Sequence, residues 1–458
     1  MPFAETLAVL MVVAVCAALF AGYPVALTLG GVSLGFAVFG HLAGAMDFGI
    51  LVALPQRIFG VVTSDVLLAV PLFILMGVLL EQSRIAEQLI EAMGRLFGRL
   101  RGGLGISTVL VGALLAASTG IVGATAVTMG LIVLPAMLRH RYDPRLAAGT
   151  VAASATLAQI VPPSTVLVLL GDQLNISYQA AQLAAGKFAP DAITVADLFA
   201  GALLPGLLLV ALYVAFLIAV AVFRPEASPA MTDARAKPQG SLVAILVAPI
   251  LLIVAVLGSI LYGVATPTEA ASVGAVGALL LALRKMPSRE LLPPAVEKTA
   301  QITAMIFVIL IGATLFSLVF RALGGDDMVH RALTGLPGGS AGAMLAVMLA
   351  VFLLGFVMDA FEIIFVVIPI VAPALLKMPG IDPVWFGIMI AVNLQTSYMH
   401  PPLGPTLFYL RGVAPRAITT RHIYWGIVPF VLIQLLALVV LWFAPGLATA
   451  LPHALYGR

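Results

Sequence analysis

Long apolar runs, each close to the length of one bilayer crossing, recur along the chain and alternate with short polar stretches. Runs near 5–21, 22–41, 65–81, 146–171, 197–223, 241–263, 266–284, 299–321, 383–411 and 421–445 read as spanning helices, because about 20 apolar residues in helical form cross the hydrocarbon core. Two further stretches, 104–138 and 340–376, are too long for one crossing and carry Gly, Ser, Thr or Asp in their middles. Each reads as a hairpin that enters the membrane and leaves by the same face. Two of the spanning runs are broken from within, by "QIVPPST" (159–165) and "YMHPPLGPT" (398–406). The polar segment 224–240, "RPEASPAMTDARAKPQG", reads as a linker. It separates two halves of similar length, 1–223 and 241–458.

Composition agrees with this pattern. Of 458 residues, 62% are hydrophobic and 9% charged, against roughly 25% charged in an average soluble domain. Mean hydropathy is +1.16. The formal charge of +3 therefore reflects basic loops rather than a nucleic-acid surface. Cys16 is the only cysteine, which excludes an intrachain disulfide and speaks against a thiol-ligated metal. The start, "MPFAETLAVLMVVAV", lacks the basic segment of a cleaved signal peptide and reads as the first membrane helix.

Charge then orients the helices. Suppose the loops near 82–103, 139–145, 224–240, 284–298 and 411–421 share one face. They carry Arg84, Arg95, Arg99, Arg101, Arg139, Arg141, Arg145, Arg224, Arg235, Lys237, Arg284, Lys285, Arg289, Lys298, Arg411, Arg416 and Arg421, 17 of the 23 basic residues. The positive-inside rule makes that face cytoplasmic. Both termini are then expected outside, with hairpin 104–138 open to the cytoplasm and hairpin 340–376 open outward.

The halves also resemble each other. Asp143-Pro144 begins a helix and Pro162-Pro163 follows 19 residues after Asp143; Asp382-Pro383 begins another and Pro401-Pro402 follows 19 after Asp382. Both matches lie 239 residues apart. Five crossings plus a hairpin per half makes the second unit run upside down, the inverted repeat seen in secondary transporters. The expected fold is thus an all-α polytopic membrane protein of two inverted-topology repeats.

The breaks suggest chemistry. Proline lacks an N–H, so a Pro-Pro pair frees backbone carbonyls, which lipid does not tolerate without a cavity, a helix or an ion against them. Neutral carbonyls and hydroxyls suit Na⁺. Two symmetry-related cation sites are expected, each a hairpin tip against a broken helix. The first would use Ser118, Thr119 and Gly120 with Thr156, Gln159 and Pro162. The second would use Met358 and Asp359 with Gln395, Thr396, Ser397 and Pro401. A packing kink is the competing account of each Pro-Pro pair. Thr125, Arg321, Asp359 and Gly404 are candidates for holding an anionic substrate, although Arg321 also sits where it can snorkel or pair with Asp326 or Asp327. Glu362 is equally suited to local capping. Glu269, in "ATPTEAA" (265–271), suits the positive end of a helix. His400 is read as a hydrogen-bonded packing residue. No cofactor and no transition metal are expected.

The duplicated hairpin-plus-Pro-Pro plan, "ATPTEAA", "VMDA" (357–360) and "MHPPLGP" (399–405) resemble the large membrane subunit of tripartite ATP-independent periplasmic (TRAP) transporters over essentially the whole chain. The resemblance implies a Na⁺-driven elevator in a bacterial or archaeal cytoplasmic membrane. It also implies a small four-helix membrane subunit, an extracytoplasmic substrate-binding protein, and an organic anion as cargo, often a carboxylate. One departure concerns the first hairpin. Where the family commonly reads Ser-Gly-Ser-x-Pro-Ala-Thr, this chain has Thr119-Gly120-Ile121-Val122-Gly123-Ala124-Thr125, so a contact expected from the second serine falls on Ile121.

The segment 172–196 reads as an external loop. Two other functions compete with the favoured one: a self-sufficient Na⁺/organic-anion symporter of related fold, and a polytopic membrane enzyme. Against the enzyme stand the lack of an H-E-x-x-H or P-loop motif and six histidines scattered without metal-ligand spacing.

Overall fold

The computed structural model describes residues 3–83, 85–97, 100–119, 122–231, 242–356, 358–401 and 404–457, without the side chains of 85–87, 91, 95, 117–119 and 242–246. Every regular element among them is helical. The first half runs α1 (Phe3–Phe20), α2 (Val25–Leu42), α3 (Leu54–Val62), α4 (Ala69–Gln82), α5 (Ile85–Phe97), α6 (Gly103–Thr119), α7 (Val122–Arg139), α8 (Pro144–Thr156), α9 (Thr165–Ala184) and α10 (Val195–Phe223). The second runs α11 (Leu242–Leu261), α12 (Pro267–Leu283), α13 (Ser288–Ala322), α14 (Gly325–Thr334), α15 (Gly339–Leu354), α16 (Ala360–Glu362), α17 (Ile368–Leu375), α18 (Pro383–Ser397), α19 (Pro405–Val413), α20 (Thr420–Phe443) and α21 (Gly446–Tyr456). A π-turn, Ile363–Val367, joins α16 to α17. Six of these helices are individually long and apolar enough to cross a membrane: α1, α2, α7, α10, α13 and α20.

The first long apolar stretch is the helix pair α6 and α7, the second is α15 followed by a returning arm of α16 and α17, and both Pro-Pro runs interrupt a helix as the sequence suggests. Helix starts follow side-chain chemistry. Asp143 Oδ1 accepts the Arg145 N–H at 2.7 Å, and Asp382 Oδ1 accepts the Trp385 N–H at 2.8 Å. Each satisfies an otherwise orphan donor of a first turn. Thr266 and Glu269 form a reciprocal capping box, the structural role expected of Glu269.

Two expectations change. Residues 172–184 are the last turns of α9, not loop. Leu174, Ser177 and Ala181 are buried at helical spacing there, a stripe that the flanking polar residues conceal in sequence. The short helices α3, α5, α14 and α21 lie outside the apolar runs, which give no sign of them. Most of the linker, 232–241, lies outside the described residues, but its start is held firmly. Ser228 O accepts the Gly102 N–H at 2.8 Å and Ala227 O accepts the Asp143 N–H at 3.0 Å, so Ser228 is buried.

Contacts repeatedly join the halves. Helix α2 lies along α13 and α12 along α4; α9 packs on α17 and α7 on α19; α8 lies along α20. The last contact is very close. A Cβ on Gly149 would stand 2.0 Å from Gly426 O, and one on Gly426 2.1 Å from Arg145 O. Helices α1, α2, α4, α12 and α13 pack mainly on one another, while the hairpins and broken helices pack with α10 and α20.

Candidate functional site

The two broken helices meet in the core. Thr156 and Gln395, each fully buried, touch directly: Gln395 Nε2 donates to Thr156 Oγ1 at 3.2 Å. Thr156 Oγ1 in turn donates to Ala153 O at 2.9 Å and stands beside the Tyr213 hydroxyl, which accepts from Gln434 Nε2 at 2.9 Å. The two partners are 239 residues apart, the same interval that separates the two Asp-Pro and the two Pro-Pro pairs.

Around this contact the second expected set is brought together. A Cβ on Gly355 would fall 2.0 Å from Ser397 Oγ, so the hairpin and α18 touch only because that residue is glycine. Met358, Gln395, Thr396 and Ser397 are all buried. Ser397 Oγ, Gln395 Oε1 and the nearby Thr406 Oγ1 have no hydrogen-bond partner. Unpartnered buried oxygens of this kind cost about 1–3 kcal/mol each unless a ligand meets them. Thr396 Oγ1 donates to Asn393 O at 2.6 Å. Pro401 lies in the turn that follows α18, and Gly404 N–H closes this turn on His400 O at 2.7 Å. A Cβ on Gly404 would meet Tyr398 O at 2.6 Å. His400 packs between Phe352 and Phe356, with ring centroids 4.3 and 4.4 Å away. Neither ring nitrogen is hydrogen-bonded, so it is the packing residue expected but without the expected hydrogen bond.

In the first set, Thr156 and Gln159 are fully buried, and Pro162 lies in the break between α8 and α9. Ser164 Oγ, beyond Pro162-Pro163, donates to Gln159 O at 2.8 Å. Ser118 and Thr119 end α6, but their side chains and all of Gly120 lie outside the described residues. Ile121, the departure from the family pattern, lies outside them too.

A cavity of about 450 Å³ opens between these elements and the pair α4–α13. Val122–Ala124 of α7, Thr165 and Val166 of α9, and Pro405 of α19 line it, so three helix N-termini converge there. Such ends carry roughly half a positive charge each and bind anions through free N–H groups; α19 offers its dipole alone, since Pro405 has no N–H, Thr406 N–H donates to Tyr398 O at 3.2 Å and Leu407 N–H donates to Gly404 O at 2.9 Å. Gln159 reaches the cavity, where its side chain meets the Tyr398 hydroxyl. Asp359 lines it as well, but its Oδ1 accepts the Glu362 N–H at 2.9 Å while its own N–H donates to Glu362 Oε2 at 3.2 Å. Glu362 is therefore a cap. Thr125 is buried in α7 beside the cavity wall that Val122–Ala124 and Val127 provide.

Arg321 is not brought to this place. It lies in a separate 270 Å³ cavity with Arg57, and its Nε sits 3.2 Å from Asp326 Oδ2, the pairing weighed for it from sequence. Burial raises the Asp326 carboxyl above its ordinary range, with Arg321 opposing. Glu81 and Lys298, on the far wall of the hairpin cavity, were missed as site residues. Each stands at the end of an apolar run and reads there as an ordinary interfacial charge.

Helix hairpins meeting interrupted helices over a cavity with a few polar groups in an apolar lining define a helical membrane transport protein. The match to known sequences makes this specific: residues 10–447 fit the family described as "Tripartite ATP-independent periplasmic transporter, DctM component", and the chain belongs to that family. It is 30% identical over 412 residues to the C4-dicarboxylate TRAP transporter large permease protein DctM of Rhodobacter capsulatus, covering 87% of this chain and 89% of that one. It is 28% identical over 432 residues to the isethionate TRAP transporter permease protein DctMQ of Oleidesulfovibrio alaskensis, covering 94% of this chain and 64% of that one. The fold is similar to the crystal structure of the Alcanivorax borkumensis YdaH transporter, with TM-score 0.64 and 16% identity, covering 86% and 88% of the two chains. The protein is thus a multi-pass membrane permease subunit and not an enzyme.

Proposed function

We propose that this chain is the Na⁺-coupled permease of a tripartite system, carrying an organic anion, a carboxylate in the first instance, through the cavity between its hairpins. The convergence of three helix N-termini on that cavity, beside the Gln159 amide and the Tyr398 hydroxyl, is the observation that carries the reading. Such helix ends favour a negative charge through the dipole. The carboxylate preference draws on the relative named for C4-dicarboxylates, and a companion membrane subunit on the longer relative named DctMQ. An extracytoplasmic binding protein would deliver the anion, as the family description "periplasmic" suggests.

Sodium travels as co-cargo in this reading. The unpartnered neutral oxygens of Gln395, Ser397 and Thr406 fit a hard cation, and Thr156 and Gln159, whose oxygens already have protein partners, occupy the matching place on the first broken helix. Cation binding there would draw hairpin and broken helix together and shape the anion pocket, so that each ligand favours the other.

The contacts between halves support an inverted repeat. If α2, α4, α7 and α9 correspond to α12, α13, α17 and α19, then the α2–α13 and α4–α12 contacts are one contact seen twice, as are α7–α19 and α9–α17. The Thr156–Gln395 bond would straddle the pseudo-twofold axis. In the elevator reading, α1, α2, α4, α12 and α13 form the static scaffold, and the hairpins with the broken helices move. With the arginine-rich face cytoplasmic, both termini lie outside, and the cavity's charged rim, Glu81 and Lys298, faces the cytoplasm.

Reconstituted with a small membrane subunit and a binding protein, the chain is expected to accumulate succinate only under an inward Na⁺ gradient. Uptake unchanged when K⁺ or choline replaces Na⁺ at fixed pH would falsify the coupling. Uptake by the chain alone would favour a self-sufficient symporter.

A further inference from the structure

The scaffold wall of the hairpin cavity is apolar along Ile74, Ile302, Met305 and Ile306, and ends in one ion pair. Lys298 Nζ donates to Glu81 Oε2 at 2.8 Å and to Oε1 at 3.1 Å. The side chains keep 37% and 17% of their exposure, so the ammonium is still reachable from the cavity. Lys298 is the only Lys or Arg among the described residues lining this space. It sits on the scaffold, opposite the helix N-termini that would hold the anion, and not on the elements that would move.

We propose that Lys298 and Glu81 form an exchange station for the substrate carboxylate, met only at the cytoplasmic end of the transport cycle. This rests on the permease reading above. Ile306 lies eight residues beyond Lys298 on α13, about 12 Å along the helix at 1.5 Å per residue. A pocket raised by that much faces only the apolar wall and loses Lys298. At the cytoplasmic end the anion's free carboxylate displaces Glu81 from the ammonium, which draws the anion off the helix N-termini. Glu81 then reclaims Lys298 as the anion leaves. Glu81 also stands in the last turn of α4, where the partial negative charge of the helix end disfavours a resident anion. The station is a release device: it sets apparent affinity on one side of the membrane alone.

The experiment uses the reconstituted transporter with its partners and succinate as probe, with half-saturation measured separately for internal succinate (efflux) and external succinate (uptake). Lys298→Gln is expected to raise the internal value roughly fivefold, in the range of exposed ion pairs, and to leave the external value unchanged. Glu81→Gln, which frees the ammonium, is expected to lower the internal value and to slow net uptake. Lys298→Cys in a Cys16→Ala background gives a readout that needs no turnover. Its alkylation from the cytoplasmic side is expected to slow when succinate and Na⁺ are both present. Equal shifts on both sides, or unmoved internal values and an unprotected thiol with Na⁺ dependence intact, overturn the station and leave the permease standing. A transporter that moves no succinate under any gradient overturns the carboxylate reading and the station together.

Discussion

Thr396 spends its proton on Asn393 O at 2.6 Å, which leaves the lone pairs of its oxygen free for a cation. Its neighbour Ser397 has no partner for its hydroxyl and lies against Gly355 of the second hairpin. If these oxygens hold Na⁺, Thr396→Val keeps the β-branched shape and removes one neutral ligand. The expected loss of about 1–3 kcal/mol corresponds to a roughly 5- to 150-fold rise in the Na⁺ concentration for half-activation. Succinate affinity at saturating Na⁺ should change far less. Ser397→Ala is expected to act in the same direction. Normal expression, normal melting and an unaltered Na⁺ response in both variants and in Pro401→Ala would mean that the breaks are packing kinks. At this scale the sequence was informative where a polar residue stood beside a helix breaker. That adjacency pointed to Thr156, Gln159, Gln395 and Ser397, which the fold gathers. It was silent on Glu81 and Lys298, because a contact across 217 residues leaves no local trace, and it could not show that Asp326 claims Arg321.

Among the elements, α8 and α20 lie so close that each requires a glycine opposite the other's backbone. Gly426→Ala would set a Cβ 2.1 Å from Arg145 O, where no side chain can yield. The helices must part, at a cost of about 1–3 kcal/mol or more, which exceeds the roughly 0.5–1 kcal/mol that Ala gains over Gly inside a helix. A lowered melting temperature in detergent is expected. Gly30→Ala in α2 is the control, since nothing lies within 4 Å of its added methyl; it should melt at or above the parent temperature. Equal melting of the two variants would mean that α8 and α20 do not pack as described. The apolar runs made most of this architecture legible, because hydropathy reports each crossing and proline each break. The short helices α3, α5, α14 and α21 escaped because they lie between those runs. The end of α9 escaped for another reason: its buried stripe at Leu174, Ser177 and Ala181 is interrupted by polar neighbours, which outweigh periodicity in a short window.

For the molecule as a whole, orientation decides what the cavity means. The basic loops assign one face to the cytoplasm by charge alone, and thiol labelling in a Cys16→Ala background tests that assignment directly. Ser228 would be a poor reporter, because it is buried against α6 and shielded on either side of a membrane. Glu226 and Arg416 are exposed on the basic face, while Phe188, 97% exposed, lies between α9 and α10 on the other. Phe188→Cys is expected to react with an impermeant maleimide in intact cells. Glu226→Cys and Arg416→Cys should react only after permeabilisation. The reverse pattern would place both termini inside and open the Glu81–Lys298 rim to the exterior. The ion pair would then meet an arriving anion instead of a departing one, and the half-saturation shift of Lys298→Gln would move from internal to external succinate. The labelling and the transport measurement thus constrain each other: a single orientation has to satisfy both, and disagreement between them would rule out a rim that opens to one side only.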